Sequence, residues 1–348
     1  MIDLLEGVKS LSSGVLTARA QELSPTNNGT LKYQTIMPRE DVESTTLSEL
    51  LDTDFRPVGA RRDWNAPGQR LTFKAPSELN LSFTPLESDT LIDEQEMEKL
   101  DQRYDGNQQA ILDRLKVTVP KRSDTLVEMN YRKLEADVFD SWTKGVVTQK
   151  NPQTNQTYLI NYGFPSGRIQ VAGAAWTAAN AYQNFIAWLK DGRTSVRGGI
   201  IGAMASSTVI ETIIDSAPPL ANGQRMNIDE FNSDIRSRVG FAFTFVANDE
   251  EADFYVGGGA DTIRRRYFGA SKIALIPAGG IVGKSAFAPV RRARALAAEV
   301  PEARIDIRGV SVFKFGKNNN KSLQIEAQLN AFPVPNENRV WVMDTLIG

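Results

Sequence analysis

Residues 278–285, AGGIVGKS, follow a strand-like stretch from Lys272 to Ile276 and precede a helix-like ARALAAEV at 293–300. That order approaches a phosphate-binding loop, in which successive backbone N–H groups cradle a phosphate while a lysine, here Lys284, neutralises its charge. A carboxylate on a strand would complete such a site through a metal ion, and VWVMD at 340–344 offers Asp344 for it. The chemistry would be nucleotide hydrolysis. Three features oppose it. Ala278 stands where the first glycine must let the backbone turn. Pro289 lies four residues after Ser285, within the first turns of the required helix, and has no N–H to offer there. Beyond the motif the chain reads as an antiparallel hairpin, whereas a nucleotide-binding sheet needs alternating strands and helices. The expectation is a glycine-rich surface loop, with hydrolysis by Lys284 and Asp344 as the alternative.

Composition narrows the chemistry further. The 348 residues include no His and no Cys. Ser-His-Asp and Cys-His nucleophile activation, imidazole or thiolate metal sites and disulfides are thereby excluded. Enzymes built on carboxylates, Lys, Tyr or Ser-Lys pairs survive. The net charge of −2 argues against a broad basic face that neutralises many phosphates. Asp3 and Glu6 stand where a secretory signal carries basic residues, and no apolar stretch approaches the roughly 18 residues of a membrane span. The expectation is a protein with no cofactor, no metal and no membrane.

The remaining chemistry is charge pairing. Residues 55–84 hold strand-like runs around Asn65 to Gly68, a good turn tetrad, with Arg61, Arg62, Trp64, Arg70 and Lys74 crowded near the turn. A hairpin this polar has no core of its own and is marginal in water, so it needs an external surface or remains an ordinary exposed hairpin. Glu250, Glu251 and Asp253 precede Arg264, Arg265 and Arg266 in a loop that includes three glycines at 257–259. Solvated charge is the common reading of such clusters. The sharper one pairs them with a neighbouring copy, where rim pairs give register more than affinity.

These charges are positioned by recognisable elements. Leu4, Val8, Leu11 and Val15 have helical spacing weakened by Gly7 and Gly14, and a polar connector follows from Glu22 to Gln34. The piece reads equally as an arm docking on a neighbour and as a terminus packed on its own domain. A helical period runs from Asp93 to Val119 through Met97, Leu100, Tyr104, Ile111 and Leu115, with Asp93 and Glu96 as a capping box. Asp105-Gly106-Asn107 leaves open one helix or two. A long helix then spans 123–145, capped by Ser123 and Gly145. Its core face carries Val127, Tyr131, Leu134, Val138 and Trp142, and Glu135 reads as the opposite flank.

A polar hairpin follows at 146–163, with Tyr158, Ile160 and Tyr162 to one side. Trp176 then precedes a helix bearing Tyr182, Phe185, Trp188 and Leu189, and GGIIGAMASSTVIETII comes after it. A capping box at Asn227 and Glu230 opens another helix, and Phe241, Phe243 and Phe245 alternate as a strand. The last antiparallel pair is expected at 304–315 and 321–329.

In this order, the elements from 123 to 215, with FAFTFVAND at 241–249, KIALIPAGGIVGKSAFAP at 272–289 and the terminal SLQIEAQLNAFPVPNENRVWVMDTL, resemble the lambda-type family of tailed-phage major capsid proteins. The resemblance implies the Hong-Kong-97-type capsid fold, of α+β class. Its parts would be an N-terminal arm and connector at 1–54, an extended hairpin loop at 55–90 and a peripheral domain at 91–175. An axial domain at 176–301 and final strands at 302–348, returning to the peripheral domain, would complete it. The resemblance further implies a structural subunit without catalytic residues. It would assemble with itself as pentamers and hexamers into an icosahedral virion shell in the host cytoplasm. A scaffolding protein and a portal would be its partners, with room for a decoration protein, and it would meet packaged double-stranded DNA only non-specifically. A small ligand-binding or adaptor protein is a third reading, with solubility as its only positive feature.

Overall fold

A computed structural model describes residues 11–22, 32–43, 46–50, 78–82, 86–150, 157–255, 262–290, 293, 305–317 and 322–347. The described chain begins with α1 (Ser13–Glu22), α2 (Tyr33–Ile36), β1 (Arg39–Asp41), β2 (Thr46–Leu50), β3 (Glu78–Ser82), β4 (Leu86–Ile92) and α3 (Glu94–Arg103). It continues with α4 (Gln108–Lys144), β5 (Val146–Lys150), β6 (Thr157–Asn161), β7 (Ile169–Val171), α5 (Ala181–Ser195), β8 (Ile200–Ala205), α6 (Ser207–Asp215) and α7 (Ile228–Val239). The last elements are β9 (Thr244–Ala247), β10 (Glu251–Tyr255), β11 (Thr262–Arg266), β12 (Lys272–Pro277), β13 (Gly283–Phe287), β14 (Ser311–Lys317), β15 (Ser322–Leu329), β16 (Ala331–Pro335) and β17 (Val342–Asp344).

The helix expected at 123–145 is longer than its sequence signals. Asn107 caps α4, its side chain accepting from the Ala110 N–H at 3.2 Å, and Ser123 lies buried within the helix. Pro120 lies inside as well, although a proline there removes one backbone hydrogen bond and costs roughly 3 kcal/mol. Burial offsets that cost, since Val119 and Pro120 both face the core. Gly145 ends the helix in the left-handed region at φ 66°, as its position predicts. The Asp105–Asn107 break does separate two helices. Asp93 caps α3 through the Glu96 N–H at 2.8 Å, but the Glu96 carboxylate turns to Arg122 instead of closing the box.

Val127, Tyr131, Leu134, Val138 and Trp142 are all buried, so the helical period identified the core face. That face packs on the antiparallel sheet β14–β15–β4. Glu135 is a correction: it is 1% exposed, because the Tyr33 segment folds over that side of the helix. Within the polar connector expected at 22–34, Tyr33 is buried, and Ile36 and Met37 just beyond it are buried as well. Likewise α1 packs on its own chain. Leu16, Thr17 and Ala20 face inward while Val15 is exposed, one position off the expected face. Thr17 Oγ1 donates to the Val312 carbonyl at 3.1 Å and accepts from its N–H at 2.9 Å.

A second core gathers around Phe185, Phe231, Phe243 and Phe245, whose ring centroids lie 5.2–6.3 Å apart. The residues expected on α5, together with Trp176, supply much of it, and the capping box at Asn227 and Glu230 is formed. This core lies against the mixed sheet β7–β17–β12–β8–β9. Gly202 on β8 permits the close approach of β9, since a Cβ there would stand 2.2 Å from the Thr244 carbonyl oxygen. The chain's final strand, β17, joins this sheet beside β12 and β7. A third sheet, β1–β13–β16, and the hairpin β5–β6 enclose a small core containing Tyr162 and Phe332.

Candidate functional site

Lys284 sits on β13, an extended strand between β1 and β16, with register Ser285↔Arg39 and Ser285↔Pro333. Its ammonium meets Glu40 at 3.1 Å, and the Ser285 hydroxyl donates to the Met37 carbonyl. Gly283 is required by packing, not by phosphate, because a Cβ there would meet the Val334 carbonyl oxygen at 2.4 Å. Asp344 lies on β17, in a different sheet, 4.0 Å from Lys272. Lys284 and Asp344 are therefore not brought together, and their segment is a strand where a phosphate cradle needs a loop opening a helix. The helix-like stretch at 293–300 lies outside the described residues except for Ala293. Among the described residues no group of acidic side chains gathers to hold a metal, and no helix is long and apolar enough to cross a membrane.

The charge clusters are more ordered than a solvated loop. Glu251 and the three arginines stand on the antiparallel pair β10–β11, with Glu251 opposite Arg266 and Asp253 opposite Arg264. Glu251 pairs with Arg264 at 2.7 Å and with Arg266 at 3.3 Å, while Arg266 also reaches Asp249 at 3.2 Å. Strand alternation turns Arg265 the other way, onto Asp140 of α4, where one guanidinium nitrogen meets both carboxylate oxygens at 2.7 and 2.6 Å. Lys144 adds a second cation to Asp140 at 2.7 Å. Glu250 meets Lys32 at 3.2 Å. Within the chain, then, Glu250 pairs with Lys32 and Glu251 with Arg264 and Arg266. Arg264 keeps a side chain 74% exposed. Arg61, Arg62, Trp64, Arg70 and Lys74 lie outside the described residues; β2 and β3 pair on either side of that segment, in register from Thr46↔Ser82 to Leu50↔Glu78.

Two carboxylates of α4 are held in their neutral direction by burial. Glu135 is pushed up to about 7 by desolvation, with the Glu250 charge acting the same way and hydrogen bonds from the Lys32 and Tyr33 N–H groups opposing. Asp137 is pushed up to about 6 by desolvation, against the attraction of Lys133. Sequence reasoning missed both, as it missed Asp140 and Arg39, which binds Asp41 and Asp306 and lies over the Phe287 ring at 4.8 Å. A signal for Glu135 did exist: it lies four residues from Tyr131 and three from Val138, beside the buried face.

No family model matches the sequence, and no curated protein is significantly similar to it. Solved structures are. A protein assigned as a capsid protein of a prophage in E. coli CFT073 superposes with a TM-score of 0.53 at 11% identity, covering 98% of this chain and 96% of that one. The chain has the fold of a phage capsid protein. A phage-related protein from Bordetella bronchiseptica RB50 superposes at TM-score 0.48 and 11% identity, over 96% of this chain and 97% of that chain. The capsid of Myoviridae phage XM1 does so at 0.45 and 14%, over 89% of each. At such identities the likeness to the prophage protein establishes the capsid fold and says nothing of individual residues. That fold is of mixed helix and sheet.

Proposed function

We propose that this chain is the major capsid subunit of a tailed double-stranded DNA phage, with the Hong-Kong-97-type fold, and that it assembles with itself into an icosahedral virion shell. The observation that carries the reading is the superposition over 98% of the chain and 96% of the prophage protein. A peripheral unit would be built on α4 and the sheet β14–β15–β4, and an axial unit on the aromatic core around Phe185. Pentamers and hexamers of the chain would meet a scaffolding protein and a portal, with room for a decoration protein, and would touch packaged DNA only non-specifically. The subunit would be a structural protein, not an enzyme. Contacts between copies would run through the N-terminal residues and the segment holding Arg61, Arg62, Trp64, Arg70 and Lys74. The exposed Arg264 would reach a neighbour, with Glu251 and Arg266 beside it; Glu250 and Arg265 would take part only by exchanging their partners Lys32 and Asp140 for groups of that neighbour. Nucleotide hydrolysis is disfavoured by the strand conformation at Lys284. Negative-stain electron microscopy of purified protein tests the reading: closed shells or capsomer rings are expected, and a monomer under every assembly condition, with or without a co-expressed scaffold, would overturn it.

A further inference from the structure

Helix α3 carries opposite charges on opposite flanks. Glu94, Glu98 and Asp101, at spacings of four and three, form one exposed stripe that Asp105 continues just beyond the helix. Glu98 meets the Gln102 amide at 3.5 Å, and among the described residues no Lys or Arg comes within ion-pair distance of the stripe. Met97, Leu100 and Tyr104 turn to the core. Glu96, Lys99 and Arg103, at spacings of three and four, occupy the remaining side. Glu96 binds Arg122 there, so this is the side that meets α4.

Helix α4 brings more positive charge to the same junction. Arg114 and Lys121 lie two turns apart on the flank of α4 that adjoins Arg122, and both are exposed. Val117 lies between them and is 47% exposed. Asp113 does not neutralise them, since Lys116 holds it at 3.0 Å. Lys99 and Arg103 of α3 therefore line one groove with Arg114 and Lys121 of α4. Among the described residues none of these four cations has an acid within ion-pair distance.

We infer that this basic groove receives the acidic stripe of α3 from a second copy of the chain. The two features match in sign and in reach: at 1.5 Å per residue the stripe from Glu94 to Asp105 runs about 16 Å, and Arg114 and Lys121 stand about 10 Å apart. Charge favours this occupant over a nucleic acid, because a chain of net charge −2 offers no broad basic face and the same helix supplies the complementary acids. Stripe and groove lie on opposite flanks of α3, so they cannot meet within one chain. Such a contact is head-to-tail, and head-to-tail contacts close into rings when the rotation allows. Exposed pairs of this kind set register and partner choice more than affinity. The inference rests on the shell reading and names one contact between its subunits.

Three full-length variants test it beside the wild type. The first carries Glu98→Lys and Asp101→Lys, the second Arg114→Glu and Lys121→Glu, and the third all four changes. Glu94 in the first turn of α3 and Arg103 in its last turn stay in place, where their charges suit the helix dipole. Native mass spectrometry reads oligomers, electron microscopy reads shells and circular dichroism verifies folding. Each double variant is expected to lose higher oligomers, because its stripe and groove then carry the same sign. The fourfold variant is expected to regain them, because both signs are exchanged together. If either double variant assembles like wild type, or the fourfold variant stays dissociated, the inference falls. Loss of bound DNA in the second variant, with assembly intact, would make a polyanion the occupant and overturn it as well. Should a reversal unfold, Glu98→Gln with Asp101→Asn replaces it, with loss of assembly expected at a lower salt concentration than for wild type. An unchanged salt midpoint would count against the docking. Wild-type protein that forms no shells defeats the capsid reading separately, since an equimolar mixture of the two double variants still reports the contact: mixed pairs support it, and their absence overturns it.

Discussion

The carboxylate of Glu135 accepts a hydrogen bond from the backbone N–H of Lys32 at 2.9 Å, joining positions 103 apart in sequence. It ties the Tyr33 segment to the C-terminal third of α4, and burial there raises the carboxyl pKa from 4.5 to about 7. A carboxyl group whose folded pKa exceeds its unfolded one binds more protons in the native state across that interval. Its contribution is complete below pH 4.5 and is lost as pH rises through 7. Asp137, raised from 3.8 to about 6, acts in the same direction. Thermal denaturation should therefore show stability declining between about pH 4 and 7. Glu135→Gln should flatten that decline by on the order of 1–3 kcal/mol. A wild-type profile that rises over this range would contradict the burial of Glu135.

Leu134 is fully buried on the core face of α4. Removing its side chain should cost about 2–5 kcal/mol, a large part of a domain's usual margin of roughly 5–15 kcal/mol. Glu128 on the same helix is exposed and pairs with Arg132. Glu128→Ala should change stability by about 0.5 kcal/mol or less. Chemical denaturation midpoints of the two variants compare them directly, and equal midpoints would mean that α4 does not face the core.

Gly283 and Lys284 are neighbours with opposite expected sensitivities. A Cβ at Gly283 would collide with the Val334 carbonyl oxygen and stand 2.6 Å from the Pro335 Cα, both backbone atoms with little freedom to move. Gly283→Ala should destabilise by about 1–3 kcal/mol. Lys284→Ala removes a partly exposed pair with Glu40 and should cost about 0–1 kcal/mol. Magnesium-dependent ATP hydrolysis by wild type that disappears in Lys284→Ala would restore the phosphate-loop reading.

Deleting residues 61–70 should leave a soluble, folded subunit that no longer builds closed shells, because this charged segment is assigned to contacts between copies. Circular dichroism reports folding and electron microscopy the shells. Normal heads from the deleted protein would show that the segment is an ordinary exposed loop.

The sequence by itself determined the local rules. Period and polarity placed the core faces of α4 and α5, Gly145 marked a helix end, Asn227 and Glu230 a helix start, and the antiparallel pair expected at 304–315 and 321–329 formed as β14 and β15, with β14 beginning only at Ser311. Each of these depends on residues within a turn or two of one another. Tertiary structure decided the rest. Helix α4 continues through Pro120 because burying Val119 and its neighbours outweighs a lost hydrogen bond, a balance invisible to propensity. AGGIVGKS forms a turn and a strand because β1 and β16, distant in sequence, supply its hydrogen bonds. Glu135 is buried because a segment a hundred positions earlier covers it, and Glu251 finds its arginines within its own chain because β10 and β11 pair. Short-range pattern specifies which residues want burial. Which distant partner provides it is settled only when the chain closes on itself.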